Sequence, residues 1–267
     1  MIKFKKGPFF WPLLFILLFY APQVSHAQRF DRSAETILGV RANDKFTLYE
    51  PNYFIFGDDD LKLQFSFKYR LSKSFNLYFA YTQLMFWSIY KESKPFEDVN
   101  FKPEVFYRFF QRDGNFLKTL DLGVLHTSNG RDTLDSRSLD RVFLRSSILT
   151  KLNRNYLGGQ LKLYKIFNED ETNDDIQNYL GFWDLTLYLT DLLMIEDNSL
   201  NLHVRTFAGS KVIDFDKGGY EIGLTYQYGN SDFNPSLYLQ RYEGFAESLL
   251  GYNEKHTEYR LGLLLTF

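Results

Sequence analysis

Between Leu122 and Arg141 the chain reads LGVLHTSNGRDTLDSRSLDR, and three side chains in that stretch could together carry out nucleophilic chemistry. His126 and Ser128 stand two residues apart, so on an extended strand they share a face and come within reach of a hydrogen bond. A serine hydroxyl is a weak nucleophile until an imidazole takes its proton. The imidazole works best when a third group fixes its tautomer and stabilises its cation. Asp140 can fill that third role, and the chemistry of such a set is acyl hydrolysis. A His-x-Ser pair alone is common decoration on a strand. Asn129, Gly130, Arg131 and Asp140 in register behind it make the stretch distinctive.

Parity decides where the three groups sit. Leu120, Leu122 and Val124 share the parity of His126 and Ser128, while Asp140 shares that of Val142, Leu144 and Ile148, so all three continue rows of apolar residues. The same period-two alternation runs through most of the chain. From Leu61 to Leu71 the odd positions are Leu, Leu, Phe, Phe, Tyr and Leu, and the even ones are Lys, Gln, Ser, Lys and Arg. Tyr220 to Tyr228 and Glu258 to Phe267 repeat the pattern. Aromatic residues make up 19% of the chain although charged residues reach 24%. That combination suits a barrel with aromatic girdles facing lipid and a polar lumen.

Strands are expected at 51–57, 61–71, 75–88, 101–111, 117–127, 140–152, 156–166, 179–190, 199–208, 218–228, 235–243 and 258–267. The fold class is therefore all-β, a twelve-stranded antiparallel transmembrane β-barrel, whose closure leaves no unpaired edge in hydrocarbon. Tight joints at Lys73, Asp113–Gly114 and Arg154 alternate with longer polar ones, as periplasmic turns alternate with external loops. The joint at Asp58–Asp60 is shorter than this scheme wants. A soluble sandwich or lipocalin-like barrel would turn the apolar parity into a core, but the Arg and Lys on the opposite face of nearly every strand and the terminal Phe267 argue against it.

Lys3, Lys5 and Lys6 precede an apolar run from Phe9 to Ala21 and a small-x-small site ending at Ala27, so residues 1–27 are expected to be a signal peptide. Residues 28–50 are then a periplasmic N-terminal segment and 51–267 the barrel, in the outer membrane with its site toward the external leaflet. The chain has no cysteine, which excludes disulfide staples and thiolate chemistry. A net charge of -2 offers no basic field for nucleic acid.

The sequence resembles the outer-membrane phospholipase A family, on the His-x-Ser-Asn-Gly-Arg motif at His126 to Arg131, Ser-Arg-Ser at Ser136 to Ser138, YTQ at Tyr81 to Gln83, S-x-P-F at Ser93 to Phe96 and GFAESLLGYN at Gly244 to Asn253. The resemblance covers nearly all of the mature chain, in order. It implies a calcium-dependent phospholipase A1/A2 and lysophospholipase acting on membrane phospholipids with His126, Ser128 and Asp140, as a homodimer packed through its flat lipid-facing sides. It further implies that the Gly130 amide and a calcium-polarised water meet the oxyanion. Ca2+ would be held by the Arg131 carbonyl and the Ser136 hydroxyl of one subunit and by Ser93 of the other. Gln83, on an outward parity where an unpaired amide is costly, would pair with its symmetry mate. Where the family usually has asparagine this chain has Asp140, which would orient His126 at least as well and stabilise its cation more.

The acidic residues Glu169, Asp170, Glu171, Asp174 and Asp175 read as a solvated loop, with a second calcium site as the sharper option. His203 faces the lumen as a polar filler. Arg70, Arg108, Arg205 and Arg260 are expected to form a lumenal ion-pair network with Glu104, Glu221 and Glu258. The non-enzymatic alternative is a passive pore or structural barrel with a decayed triad, and a protease reading lacks the acidic pairs it would need.

Overall fold

The computed structural model describes residues 45–111, 116–152, 155–195, 198–209, 211–228 and 234–266. The signal-peptide region, the joints at Asp113–Gly114 and Arg154, and Phe267 lie outside the described residues. The strands are β1 (Phe46–Leu48), β2 (Asn52–Phe56), β3 (Leu61–Ser72), β4 (Leu77–Trp87), β5 (Phe96–Gln111), β6 (Leu117–Ser128) and β7 (Ser138–Leu152). They continue as β8 (Asn155–Glu169), β9 (Trp183–Ile195), β10 (Asn198–Ala208), β11 (Gly218–Gln227), β12 (Asn234–Gly244) and β13 (His256–Thr266). From β2 onward each pairs antiparallel with its neighbours in sequence, and β13 returns to β2 with Leu261 opposite Phe56, closing the sheet.

Thirteen segments make a ring of twelve because β1 and β2 both pair with β3 and form one interrupted strand. Pro51 cannot donate to the ladder, so the chain leaves it there. Asn52 bridges the gap: its amide nitrogen donates to the Ser66 carbonyl at 3.0 Å and its Oδ1 accepts from the Ser66 amide at 2.8 Å. Residues 46–48, expected in a segment ahead of the barrel, are thus part of its wall.

Two other boundaries move. The strand expected from 101 starts at Phe96, because inward Asp98 and Asn100 break the apolar pattern while accepting from the Leu250 and Leu249 amides at 2.9 and 3.1 Å. The strand expected from 179 starts at Trp183, after a short helix, α1 (Gln177–Leu180).

Alternation separates two environments. On β6 the side chains of Leu122 and Val124 are exposed on the outer wall, while Thr119, Asp121, Leu125 and Thr127 are buried. Behind β6 and β7, Tyr49, Tyr78, Ala80, Phe106, Leu125, Phe143 and Tyr164 form an apolar cluster inside the barrel. Gly123 lets Phe106 and Phe143 close over the strand; a Cβ there would stand 2.6 Å from Phe106 Cβ and 2.7 Å from Phe143 Cζ. This backing holds the two strands of the motif at fixed separation.

The lumen is filled by ion pairs, with partners partly different from those expected. Arg108 and Arg145 share Asp121, and Arg145 also reaches Glu104. Arg205 pairs with Asp184, and Arg260 with Asp60 and Glu247. Arg70 bonds Asn76 rather than an acid, and Glu221 takes Lys62 and His203. Turn and loop acids, Asp60 and Glu247, could not be assigned as lumenal partners from strand parity alone. His203 is buried in this network, 3.2 Å from both Glu221 Oε1 and the Tyr238 hydroxyl. At the motif end, Leu139, Ile176, Leu249 and Tyr252 pack together across the lumen. The cavity left inside is about 200 Å³.

Candidate active site

The register of β6 against β7 sets His126 directly opposite Asp140 and Ser128 opposite Ser138. Cross-strand partners on one face have Cβ atoms about 5 Å apart, the spacing at which imidazole and carboxylate meet. His126 Nδ1 lies 2.8 Å from Asp140 Oδ1, and the histidine side chain is 44% exposed on the outer wall. The pair extends the outward row of Leu122, Val124, Val142 and Leu144. Ser128 follows on the same face, and among the described residues no hydrogen bond joins its hydroxyl to the ring. Catalytic hydrogen bonds commonly tighten only around substrate.

The connection after Ser128 is organised by Asn129, which is buried. Its Oδ1 accepts from the amides of Arg131 at 3.3 Å and Arg137 at 3.0 Å, and its Nδ2 donates to the Asp135 carbonyl at 2.8 Å. The loop so held turns through Gly130 at a φ of 66°, a conformation that favours glycine. Gly130 is exposed, and among the described residues its amide has no acceptor within the protein. An exposed glycine amide with no acceptor among the described residues, two residues after a serine, is the kind of donor an oxyanion needs.

Ser136, at the far end of this loop, donates to Asp170 at 2.8 Å. Hydrogen bonds from the Thr172 amide, and then from the Ser136 and Thr172 hydroxyls, hold the Asp170 carboxyl below its ordinary value. Asn173 is fully buried and bonds the Ser138 amide at 3.0 Å, so the acidic loop clamps the start of β7. Asp175 also accepts from the Tyr252 hydroxyl. The acidic run is therefore more than a solvated loop. Among the described residues no group of three or more His, Asp or Glu side chains could hold a metal ion. The Arg131 carbonyl and Ser136 hydroxyl, with the Asp170 carboxylate beside the latter, are hard oxygen donors that fit a cation such as calcium. Ser93 is exposed in the β4–β5 connection, and among the described residues no hydrogen bond links it to Arg131 or Ser136.

Gln83 faces outward mid-strand on β4, accepting from the Tyr81 hydroxyl at 2.9 Å. Asn168, absent from the sequence-based set, donates from Nδ2 to Asp140 Oδ2 at 2.7 Å. A bulge places it there: Asp140 opposes Asn168, whereas Arg141 opposes Ile166, so Phe167 is the extra residue. Even-numbered residues lower on β8, such as Lys162 and Tyr164, line the lumen, and the bulge turns Asn168 outward instead.

A family model described as Phospholipase A1 matches residues 35–265. The chain belongs to the phospholipase A1 family. Relatives in that family include phospholipase A1 of Escherichia coli K12, 31% identical, and that of Salmonella typhimurium, 30% identical, each over 193 residues and 70% of this chain. These matches span 61% of the relatives' length. Among solved structures, the Salmonella typhi outer membrane phospholipase dimer with bound calcium superposes with a TM-score of 0.68 at 25% identity, covering 88% of this chain and 98% of that one. The Escherichia coli outer membrane phospholipase A gives 0.67 at 25% identity, over 82% and 93%. The family fold is thus the closed barrel described above, and this member is an outer-membrane protein.

Proposed function

We propose that this barrel hydrolyses acyl esters of membrane phospholipids, as a phospholipase A1/A2 and lysophospholipase, with Ser128 as nucleophile. The observation that carries the reading is the His126–Asp140 pair at 2.8 Å on the apolar outer wall, where the only carbonyl substrates within reach are those of lipids. His126 takes the Ser128 proton on Nε2 while Asp140 holds Nδ1, and the hydroxyl oxygen attacks the ester carbon. The Gly130 amide meets the developing oxyanion. The imidazolium then protonates the departing alcohol, and water, activated by the same histidine, releases the fatty acid from Ser128. Calcium, held by the Arg131 carbonyl and Ser136 hydroxyl of one subunit and by Ser93 of the partner subunit, would polarise the water that shares the oxyanion. The calcium-bound dimer of the Salmonella typhi relative supports a homodimer here; Gln83, outward on β4, would pair with its symmetry mate across it. A passive pore is disfavoured by the lumen, where buried ion pairs surround a cavity of about 200 Å³.

The test is fatty-acid release from phospholipid micelles by the refolded protein with calcium, with chelator, and with the Ser128→Ala variant. Release should need both calcium and the hydroxyl. Release by the folded Ser128→Ala protein would refute the assignment.

A further inference from the structure

A carboxylate has two oxygens and can present either, or rotate between them, whereas only one orientation serves an imidazole. On the outer wall Asp140 has few neighbours to choose for it. We propose that Asn168 is a positioning residue: by occupying Oδ2 of Asp140 at 2.7 Å it dedicates Oδ1 to His126 at 2.8 Å. The inference rests on the proposed hydrolytic reading and deepens it.

Three observations converge on it. The hydrogen bonds run in one line, Asn168 to Asp140 to His126, across three adjacent strands, β8, β7 and β6. The β8 bulge at Phe167 has the effect of turning Asn168 from the lumen side to the outside, a local distortion of the ladder of the kind found beside active sites. The donor also matches the acceptor chemically. An ionised aspartate is acceptor-only, so its second oxygen wants an N–H or O–H partner, which the amide of Asn168 supplies. An amide at position 140 would spend its oxygen on the imidazole and turn an NH2 toward β8, which Asn168 accepts only by flipping its own amide to present Oδ1. With an aspartate at 140, Asn168 must serve as donor, as it does.

The experiment uses the full-length barrel in detergent with calcium and a phospholipid substrate, with heat-modifiable gel mobility to confirm folding. Asn168→Ala should lower kcat about ten- to hundredfold, the size of one hydrogen bond to a charged group, with little change in KM. Asn168→Ser, which keeps a donor, should recover part of that loss. Asn168→Asp gives the readout that a purely structural role would not. Two carboxylates within hydrogen-bond distance share a proton, and the protonated Asp replaces the amide as donor. As pH rises that proton leaves, so this variant should acquire a falling alkaline limb that the wild type lacks. The exchanged pair, Asp140→Asn with Asn168→Asp, should restore activity above Asn168→Asp alone, because the new carboxylate then accepts from the new amide. An unchanged kcat in Asn168→Ala and an unshifted profile in Asn168→Asp, in a protein that Ser128→Ala inactivates, would overturn the positioning role alone. Full activity in Ser128→Ala would overturn the hydrolytic reading beneath it.

Discussion

The two faces of β6 and β7 treat polar groups in opposite ways. Inside, Asp121 is fully buried and accepts from Arg108 at 2.8 Å and Arg145 at 2.9 Å, and Arg145 also reaches Glu104 at 3.0 Å. Outside, His126, five residues farther along β6, and Asp140 on β7 lie on a wall of leucine and valine. The inner network around Asp121 is closed, since Arg108, Arg145, Asp121 and Glu104 pair with one another. The outer chain is incomplete: among the described residues one ring nitrogen of His126, the Ser128 hydroxyl and the Gly130 amide have no hydrogen-bond partner. Polar groups that face lipid without full partners are costly, so their presence points to use, whereas the inner charges hold the wall together.

The contrast can be broken most sharply with a pair of substitutions. Ser128→Ala should cost about 10⁴-fold or more in turnover, about 5 kcal/mol in the transition state, and leave the urea midpoint of unfolding where it was. Asp121→Ala should do the reverse, losing about 3–5 kcal/mol of stability by removing the acid that Arg108 and Arg145 share and leaving Arg145 with Glu104 alone, with turnover per folded molecule kept. An Asp121→Ala barrel as resistant to urea as the wild type would erase the distinction.

A smaller effect sits between the two faces. Gly130 has a φ of 66°, and a Cβ there would meet the Phe101 ring at 3.1 Å. Gly130→Ala should cost about 1–2 kcal/mol in backbone strain and displace the oxyanion donor. Its signature is reduced turnover with near-normal folding, and wild-type kinetics would remove the amide from the mechanism.

The smallest effect concerns the loop clamp. The Asp170 carboxyl is held low by donors from Thr172 and Ser136, so the tie it makes is complete above the ordinary carboxylate range and is lost as pH falls through the depressed value. The protection factor of the Ser138 amide, its exchange rate corrected for the intrinsic pH dependence, should fall only at the acid end, and Asp170→Asn should flatten that dependence. A protection factor indifferent to pH in the wild type would leave the clamp without a role.

Much of this was legible in the residues alone, for a physical reason. A strand side chain has two choices of face, and lipid on one side and charge on the other write that choice into every second letter. The ring of twelve, the outward row through His126 and Ser128, and the matching parity of Asp140 all follow from it. Asn129 and Gly130 stood in the motif, but the loop's hydrogen bonds were needed to show one as its hub and the other as its turn.

Tertiary structure decided what alternation cannot encode. The first strand is two segments because Pro51 breaks a ladder that the Asn52 side chain mends, a pairing across the sheet that no local pattern carries. The ion-pair partners depend on which strands meet and on where loop acids such as Glu247 fold back. Asn168 is the clearest case: counting by twos sends it to the lumen, and one extra residue opposite β7 sends it to Asp140. Periodicity is a property of the chain, but register is a property of two chains of hydrogen bonds meeting, and only the folded sheet settles it.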